Sequence, residues 1–489
     1  MTIGSVESLA ALEQRLAHDL LCLGWPAARW MRPAQQRAGQ AVLDVVIIGA
    51  GQAGLAAAAV LSQLGIAAVV LDKAAPGMEG PWVTTARMET LRSPKELTGP
   101  ALGLPSLTFR AWFEAQWGAA AWAALDKIPR VQWMDYLRWY RQMVERHMAV
   151  EVRNGVHVTA IRPLPDGVVE LGVQAGGAAS ILHARRVVLA TGRDGLGGPS
   201  VPEFALALER RCWAHSADDM DYAQLEGKRI GVVGAGASAM DSAASALEAG
   251  AASVDLLVRR HDLPRVNKSK GAGGPARVHG HYDIADEWKW RVRHYINTEA
   301  VPPPRGSTLR VSRFANARFY FSCPILGVEQ IMDGRKKVLR VRTSKGIFEL
   351  DFLIVSTGFK VDWLQRPEYA AIAPYVRAWK DRYTPSPGDE DEELADSPDL
   401  GPVFELQEKT PGICPGLERV HCFCYPAALS HGTVSGDIPS ISDGARRLAQ
   451  GIVSLFYRED VQHHFTMLQA YAEPELFGDE WTSAPPPSA

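Results

Sequence analysis

The sequence predicts an α/β protein with two Rossmann-like dinucleotide-binding domains, the second inserted into the first. Two observations lead to this prediction. The pattern strand, glycine-rich turn, helix, strand occurs twice, from Asp44 and from Lys228. Each repeat is followed by a buried strand that ends in Thr-Gly, at residues 186–192 and 351–358. The 489 residues leave room for two or three domains.

The repeats divide the chain into segments. Leucines at helical spacing mark residues 5–23 as an amphipathic helix that packs on the main body or on a neighbouring subunit. We expect the following segments: residues 1–40, an N-terminal helical extension; residues 41–203, the first part of an FAD-binding domain; residues 204–348, an NADPH-binding domain; residues 349–480, the second part of the FAD-binding domain; and residues 481–489, a loose tail. The two cofactors are inferred from the repeats as follows.

The first repeat contains the residue types that a dinucleotide needs. Gly49 allows a tight turn, Gly51 lets the backbone approach a pyrophosphate, and Gly54 lets the helix lie close to the strand. Gln52 stands where the helix begins and is a further candidate cofactor contact. Asp72 ends the second strand, where a carboxylate can accept hydrogen bonds from a ribose diol. This site is therefore expected to bind a dinucleotide with a free ribose, such as FAD.

The second repeat differs from the first at the end of its second strand. Its turn offers the same kind of contacts through Gly234, Gly236, Ser238 and Ala239. In place of a carboxylate it has Arg259 and Arg260. Guanidinium groups pair with a 2′-phosphate in forked geometry, whereas a carboxylate would repel it. The second site is therefore expected to prefer NADPH over NADH.

Other candidate residues lie outside the repeats. The irregular segment after the first repeat carries Arg92 and Lys95, which we consider candidate catalytic residues because site residues concentrate in loops on a rigid scaffold. The remaining candidate cofactor contacts are Trp82, Thr191, Gly192, Thr357, Gly358 and Asp437. Asp437 precedes a helix whose first amides could face a flavin ring or a pyrophosphate.

Composition excludes several classes of function. The net charge of −3 gives no global basic field for nucleic acid, so small-molecule partners are expected. Glycines and polar residues divide the long apolar stretch 45–71 into pieces too short to span a membrane, and no signal peptide is recognised. The six cysteines are scattered without C-x-x-C spacing, which argues against a disulfide framework and fits a reducing cytosol, so a cytoplasmic protein is expected. His279 and His281 lack further ligands at metal-binding spacing, and we expect no metal. They lie in residues 262–304, predicted as a solvated or substrate-facing insertion.

With these motifs established, residues 44–455 resemble the class B flavin monooxygenases, which include the flavin-containing, YUCCA-like, N-hydroxylating and Baeyer–Villiger enzymes. The loop Leu91-Arg92-Ser93-Pro94-Lys95 is most similar to the YUCCA-like and flavin-containing branch. The sequence departs from that branch between the domains, where the signature F-x-G-x-x-x-H survives only as Cys212-Trp213-Ala214-His215-Ser216.

The resemblance implies an NADPH- and O₂-dependent monooxygenase, in which NADPH reduces FAD and a flavin hydroperoxide transfers one oxygen atom to a small organic substrate. Nitrogen or sulfur is the expected acceptor. Arg92 or Lys95 over the flavin would instead favour Baeyer–Villiger oxidation of a ketone or aldehyde. Two alternatives stay open: a flavin disulfide reductase that uses Cys422 and Cys424, and a non-enzymatic NADPH-sensing flavoprotein. The N-terminal helix and numerous aromatic residues are compatible with a homodimer.

Overall fold

A computed structural model describes residues 8–334 and 336–487 of the chain. Up to the crossing into the second domain, the elements are α1 (Leu9–Cys22), β1 (Gln36–Arg37), β2 (Gln40–Ala41), β3 (Leu43–Ile48), α2 (Gln52–Gln63), β4 (Ala68–Asp72), α3 (Phe109–Ala124), α4 (Arg130–Met148), β5 (Glu151–Asn154), β6 (Val156–Pro163), β7 (Val169–Ala175), β8 (Ala178–Leu189) and β9 (Gly197–Pro199).

The second domain and the return to the first complete the chain. The second domain contains α5 (Glu203–Leu206), β10 (Trp213–His215), β11 (Arg229–Val233), α6 (Ala237–Glu248), β12 (Ser253–Leu257), α7 (Lys268–Gly271), α8 (Pro275–Gly280), α9 (Asp286–Glu299), α10 (Arg305–Ser312), β13 (Ala317–Tyr320), β14 (Ile325–Asp333), β15 (Lys336–Thr343), β16 (Gly346–Leu350) and β17 (Phe352–Val355). The return contains β18 (Phe359–Val361), α11 (Glu392–Asp396), β19 (Val420–Cys422), α12 (Ala428–His431), α13 (Ile441–Glu459) and α14 (Val461–Ala470).

The first domain is built on a seven-stranded sheet. Strands β5, β4, β3, β8 and β19 run parallel in that order; β7 pairs antiparallel with the first half of β8, and β6 pairs antiparallel with β7. Val45, Val46 and Ile47 of β3 are fully buried, as expected for a parallel strand covered on both faces. The alanine-rich α2 packs closely between this sheet and α13. The predicted first βαβ unit is thereby confirmed.

Two helices cover this domain with large side chains. Helix α4 buries Trp133, Tyr136, Trp139 and Tyr140, so the predicted aromatic-rich helix is confirmed as core packing. Helix α1 packs on α3 and α4 of the same chain through its buried leucines at 12, 16 and 20. The predicted helix over 5–23 is thus observed from Leu9 to Cys22, while residues 5–7 lie outside the described residues.

The second domain has a five-stranded parallel sheet in the order β10–β17–β11–β12–β13. Strand β17 was expected to belong to the first domain, after a boundary at 348/349. Instead it pairs with β10 and β11 of the second domain, so the chain returns to the first domain only after Val355. Two short strands, β9 and β18, pair antiparallel where the chain leaves and re-enters the first domain. The predicted hairpin over 336–350 is present as β15 and β16.

Over residues 8–334 and 336–487, no helix has both the length and the apolar character that a membrane span needs. Residues 481–487 of the predicted tail contain neither helix nor strand, and residues 488–489 lie outside the described part.

Candidate active site

The first glycine turn leaves open space where a phosphate would lie. Gly49 has φ +108°, and a Cβ there would lie 2.4 Å from the Ala190 carbonyl oxygen. At Gly54 a Cβ would lie 1.8 Å from the Gly49 oxygen, so only glycine allows the helix to approach this closely. At Gly51, by contrast, a Cβ would meet no atom within 4 Å. The space beside Gly51, at the N-terminus of α2, fits a pyrophosphate.

The second turn is constructed in the same way. Gly234 has φ +130°, and a Cβ there would lie 2.6 Å from the Ser356 oxygen. A Cβ at Gly236 would meet no atom within 4 Å. Ala239 is fully buried at the third position, and Ser238 is exposed beside the turn. The residues of both turns therefore fit a bound dinucleotide, one in each domain.

Asp72 holds the first turn in place. Its Oδ2 accepts a hydrogen bond from the Ala50 amide at 2.7 Å, and its Oδ1 accepts one from the Ala74 amide at 2.8 Å. Each carboxylate oxygen can accept a further bond, which leaves capacity for a ribose hydroxyl. A cavity of about 360 Å³ opens beside the turn, and its far wall includes Glu79 and Arg141, which pair at 2.6 Å.

The two arginines at the end of β12 differ in their surroundings. Arg260 donates to the Thr298 carbonyl oxygen at 3.2 Å, near the C-terminus of α9. Arg259 is exposed, and among residues 8–334 and 336–487 it has no hydrogen-bond or ion-pair partner. Arg259 is therefore the freer of the two to receive a 2′-phosphate.

The two Thr-Gly turns lie at the domain crossings. Gly192 has φ +84° three residues after the end of β8, and Gly358 has φ +83° three residues after the end of β17. Thr191 lies just beyond β8, and the Thr357 hydroxyl donates to the Ser200 oxygen beside β9. These residues border the entrances to both turns.

Trp82 lies on the aromatic cluster of the first domain. Its ring meets Trp133 edge-on, with centroids 6.3 Å apart. Its carbonyl oxygen accepts a hydrogen bond from Arg130. A cofactor contact at Trp82 stays a prediction.

The segment after the first βαβ unit bridges the two domains. All of residues 73–104 are described, and they contain no helix or strand, as predicted. Arg310 of α10 donates to the Arg87 carbonyl oxygen at 3.1 Å and lies 3.5 Å from the Glu89 carboxylate. The same guanidinium also forms a forked pair with Glu248 of α6 at 2.7 and 3.0 Å. The loop is thus clamped to the second domain.

Arg92 and Lys95 do not lie together. Arg92 is exposed, and its positive charge acts on both Asp437 of the first domain and Asp241 of the second. Burial raises the pKa of each carboxyl, and the charge of Arg92 partly opposes that rise. Lys95 instead caps the C-terminus of α3, where its ammonium donates to the Trp122 carbonyl oxygen at 2.8 Å and to that of Leu125. The Lys95 ammonium is thus bonded to the end of α3, which is at odds with a catalytic role.

Asp437 lies among arginines that the sequence did not single out. Asp437 is exposed to solvent on one side, and we call the opening there the cleft; protein surrounds its other sides, and burial raises the pKa of its carboxyl. Arg293, Arg92 and Arg277 oppose that rise. Arg293 donates to the Tyr425 hydroxyl. No feature of the sequence separates Arg277 or Arg293 from the other arginines of their segment.

Residues 268–299, which we call the docked insertion, connect these arginines to the first domain. His281 is buried and its Nε2 lies 3.0 Å from the Leu429 oxygen; burial lowers the pKa of this histidine to about 4. The neighbouring Tyr282 stacks on His431 at 4.6 Å between centroids. The segment predicted as a solvated or substrate-facing insertion therefore packs against α12.

The alternative redox chemistry has a poor structural basis. The Sγ atoms of Cys422 and Cys424 are 3.6 Å apart and both residues are fully buried. Burial raises the pKa of the Cys422 thiol, which disfavours the thiolate that disulfide exchange requires. In the part of the chain that the structure describes, no group of three or more His, Cys, Asp and Glu side chains could hold a metal ion.

Comparison with known proteins adds to this geometry. Residues 46–271 match a family model described as pyridine nucleotide-disulphide oxidoreductase. The chain is 40% identical to an FAD-dependent urate hydroxylase of Xanthomonas campestris pv. campestris over 477 residues, covering 97% of this chain and 98% of the relative. It is 30% identical to the indole-3-pyruvate monooxygenase YUCCA1 of Oryza sativa subsp. japonica, covering 72% and 87% of the two chains.

The chain belongs to the class B flavin monooxygenases. The predicted family is therefore confirmed, and this flavin-dependent monooxygenase is an oxidoreductase. Its fold is also that of the Kutzneria sp. 744 ornithine N-hydroxylase, with a TM-score of 0.64 at 18% identity over 84% of this chain and 99% of that one.

Proposed function

We propose that this monooxygenase takes electrons from NADPH and places one oxygen atom of O₂ on urate or a closely related oxopurine. The observation that carries the proposal is the pair of matched glycine turns, with open space at Gly51 and Gly236, in a chain similar over its length to a urate hydroxylase. A small-molecule substrate and O₂ are thus the partners. The predicted homodimer stays a prediction.

Each turn has a distinct role in this proposal. The first domain would hold FAD through Gly49, Gly51, Gln52, Gly54, Asp72, Trp82, Thr191, Gly192 and Asp437. The second would hold NADPH through Gly234, Gly236, Ser238, Ala239, Arg259, Arg260, Thr357 and Gly358. Bound FAD supplies the redox chemistry, accepting electrons from NADPH and activating O₂. The docked insertion covers one side of the cleft and would exclude water from it.

The expected transfer to nitrogen or sulfur remains a competing prediction. A basic amine would bring a fourth positive charge next to Arg92, Arg277 and Arg293, which opposes binding of such a substrate. Baeyer–Villiger oxidation is favoured by one observation, the unpaired guanidinium of Arg92 near the cleft, among the residues that the structure describes.

Oxygen labelling tests the proposal. Protein reconstituted with FAD would be supplied with NADPH, urate and ¹⁸O₂, and NADPH oxidation and product mass would be recorded. We expect urate to stimulate NADPH oxidation and the product to carry one ¹⁸O atom. NADPH oxidation that yields hydrogen peroxide alone, with no label in a product of urate, would overturn it.

A further inference from the structure

Arg277 carries donors that nothing in the fold uses. Its Nε and Nη2 are shielded from solvent and, among the residues that the structure describes, have no hydrogen-bond partner. Only Nη1 makes a bond, a long one of 3.4 Å to the Ala272 oxygen. Guanidinium nitrogens that are shielded from solvent and lack hydrogen-bond partners lower the stability of the fold, so this arrangement indicates a ligand that supplies acceptors.

A second arginine stands beside it. Arg293 is 6% exposed and is held by the Tyr425 hydroxyl. Burial lowers the pKa of Arg277, and the nearby charge of Arg293 lowers it further. Asp437 is the acidic group whose charge opposes that reduction. With Arg92 included, three cations face one carboxylate.

We infer that Arg277 and Arg293 form an anion anchor that binds the negatively charged edge of a planar substrate beside the flavin. A guanidinium fork matches two adjacent acceptor atoms, such as the N–C–O edge of the urate monoanion. This inference rests on the proposed function, and it adds the residues that select the substrate and the charge state in which the substrate binds.

The alternative occupant is a cofactor phosphate, and two features disfavour it. The carboxylate of Asp437 lies near the same arginines and would repel a phosphate, which offers only acceptors, whereas it can accept a hydrogen bond from an N–H group of the urate monoanion. Asp437 also directly follows Gly436, whose carbonyl oxygen lies 3.5 Å from Gln52 Nε2 at the first turn. The anchor is therefore adjacent to the FAD site, whereas the free Arg259 stands at the end of β12 in the second domain.

The docked insertion fixes the anchor in position. Arg277 belongs to α8 and Arg293 to α9, and both helices flank His281, which bonds to the first domain at the Leu429 oxygen. A further tie joins Arg447 of α13 to the Val278 oxygen. The anchor is thereby a rigid wall of the cleft, and its residues are positioned before substrate arrives.

Equilibrium dialysis of urate against the FAD-reconstituted enzyme, without NADPH, tests the anchor. Arg277→Gln and Arg293→Gln should each weaken urate binding about 10- to 100-fold, the range expected for one charge-assisted contact. Arg291→Gln is the matched control, because Arg291 lies on α9 but is exposed and pairs with Glu287 at 3.3 Å. It should bind urate as the wild type does. Hypoxanthine, which is neutral at pH 7, should bind weakly to all four proteins.

Two further readouts separate the anchor from a structural or cofactor role. The melting temperature of Arg277→Gln should be unchanged or raised, because two solvent-shielded nitrogens without hydrogen-bond partners are removed. The KM of this variant for NADPH should stay within about twofold of the wild type, since salt screens the interaction between a distant charge and the bound coenzyme.

The inference is overturned if the wild type binds hypoxanthine as tightly as urate, if Arg277→Gln and Arg293→Gln both bind urate normally, or if Arg277→Gln raises the KM for NADPH alone. That last outcome would assign the site to a cofactor phosphate. Because dialysis does not depend on turnover, arginine-dependent urate binding without ¹⁸O incorporation would overturn the proposed function and leave the anchor standing.

Discussion

Replacing the middle glycine of each turn by alanine should separate ligand binding from folding. Gly51 has φ −70° and Gly236 has φ −83°, values that alanine adopts without strain. At both positions the new Cβ would meet no protein atom within 4 Å. Gly51→Ala and Gly236→Ala should therefore fold normally, and the added methyl group should obstruct only the pyrophosphate.

The size of the effect follows from the hydrogen bond that the methyl group would displace. A hydrogen bond to a charged group contributes about 1.5–3 kcal/mol, so displacing a phosphate from one backbone amide should weaken binding about 10- to 100-fold. Without cofactor, the free energy of unfolding should rise by roughly 0.4–1 kcal/mol, because alanine restricts the conformations of the unfolded chain. Gly54→Ala is the contrasting variant: its Cβ would lie 1.8 Å from the Gly49 oxygen and should destabilise the fold itself.

Two measurements read out the result. FAD affinity is obtained by titrating the FAD-free protein, and the KM for NADPH by oxidation of NADPH under air. We expect Gly51→Ala to bind FAD more weakly than the wild type. Gly236→Ala should bind FAD normally but have a higher KM for NADPH. The reasoning is refuted if Gly51→Ala binds FAD with wild-type affinity, or if either variant unfolds at a markedly lower temperature.

Three other predictions follow from single contacts. Arg259→Ala should raise the KM for NADPH about 10- to 100-fold and leave that for NADH nearly unchanged, with a smaller effect from Arg260→Ala; equal effects on both coenzymes would reject the 2′-phosphate assignment. Lys95→Gln should lower the melting temperature, at a cost of about 0.5–2 kcal/mol for the helix cap, with kcat within about twofold; a collapse of kcat would restore Lys95 as a catalytic candidate. Burial lowers the pKa of His281 to about 4, so between roughly pH 6.5 and 4 the unfolded chain binds a proton that the folded chain does not, and stability should fall as the pH falls through that window. Thermal unfolding from pH 7.5 to 4 should show a shallower decline in His281→Gln, and identical slopes would contradict this account.

The sequence predicts the parts of the site that depend on local geometry. Gly49, Gly51 and Gly54 stand within six residues, and their roles follow from one turn and one helix. Asp72 is likewise placed by the strand that precedes it, although its bond to the Ala50 amide also makes it a support for the turn. Such local constraints are expressed in residue type and spacing, so they can be read without knowledge of the tertiary fold.

What the sequence could not predict depends on contacts between distant segments. Arg92 and Lys95 stand in the same irregular loop, but the carbonyl oxygens that bind Lys95 come from the end of α3. Arg277 becomes part of the cleft only because the docked insertion packs on α12. Strand β17 has the same apolar pattern and Thr-Gly ending as β8, so the pattern could not distinguish which sheet it joins. In each case the deciding partner lies far away in the chain.

The pairing of β19 with β8 determines the order in which the two domains can fold during translation. Val420 pairs with Val187, and the whole second domain is synthesised between them. Helix α2 likewise obtains its outer cover from α13, near the end of the chain. While the ribosome is still adding those residues, the first domain has an open sheet edge and an uncovered apolar helix. The inserted domain can fold first, because its sheet closes with β17, and the domain that starts earlier is completed last.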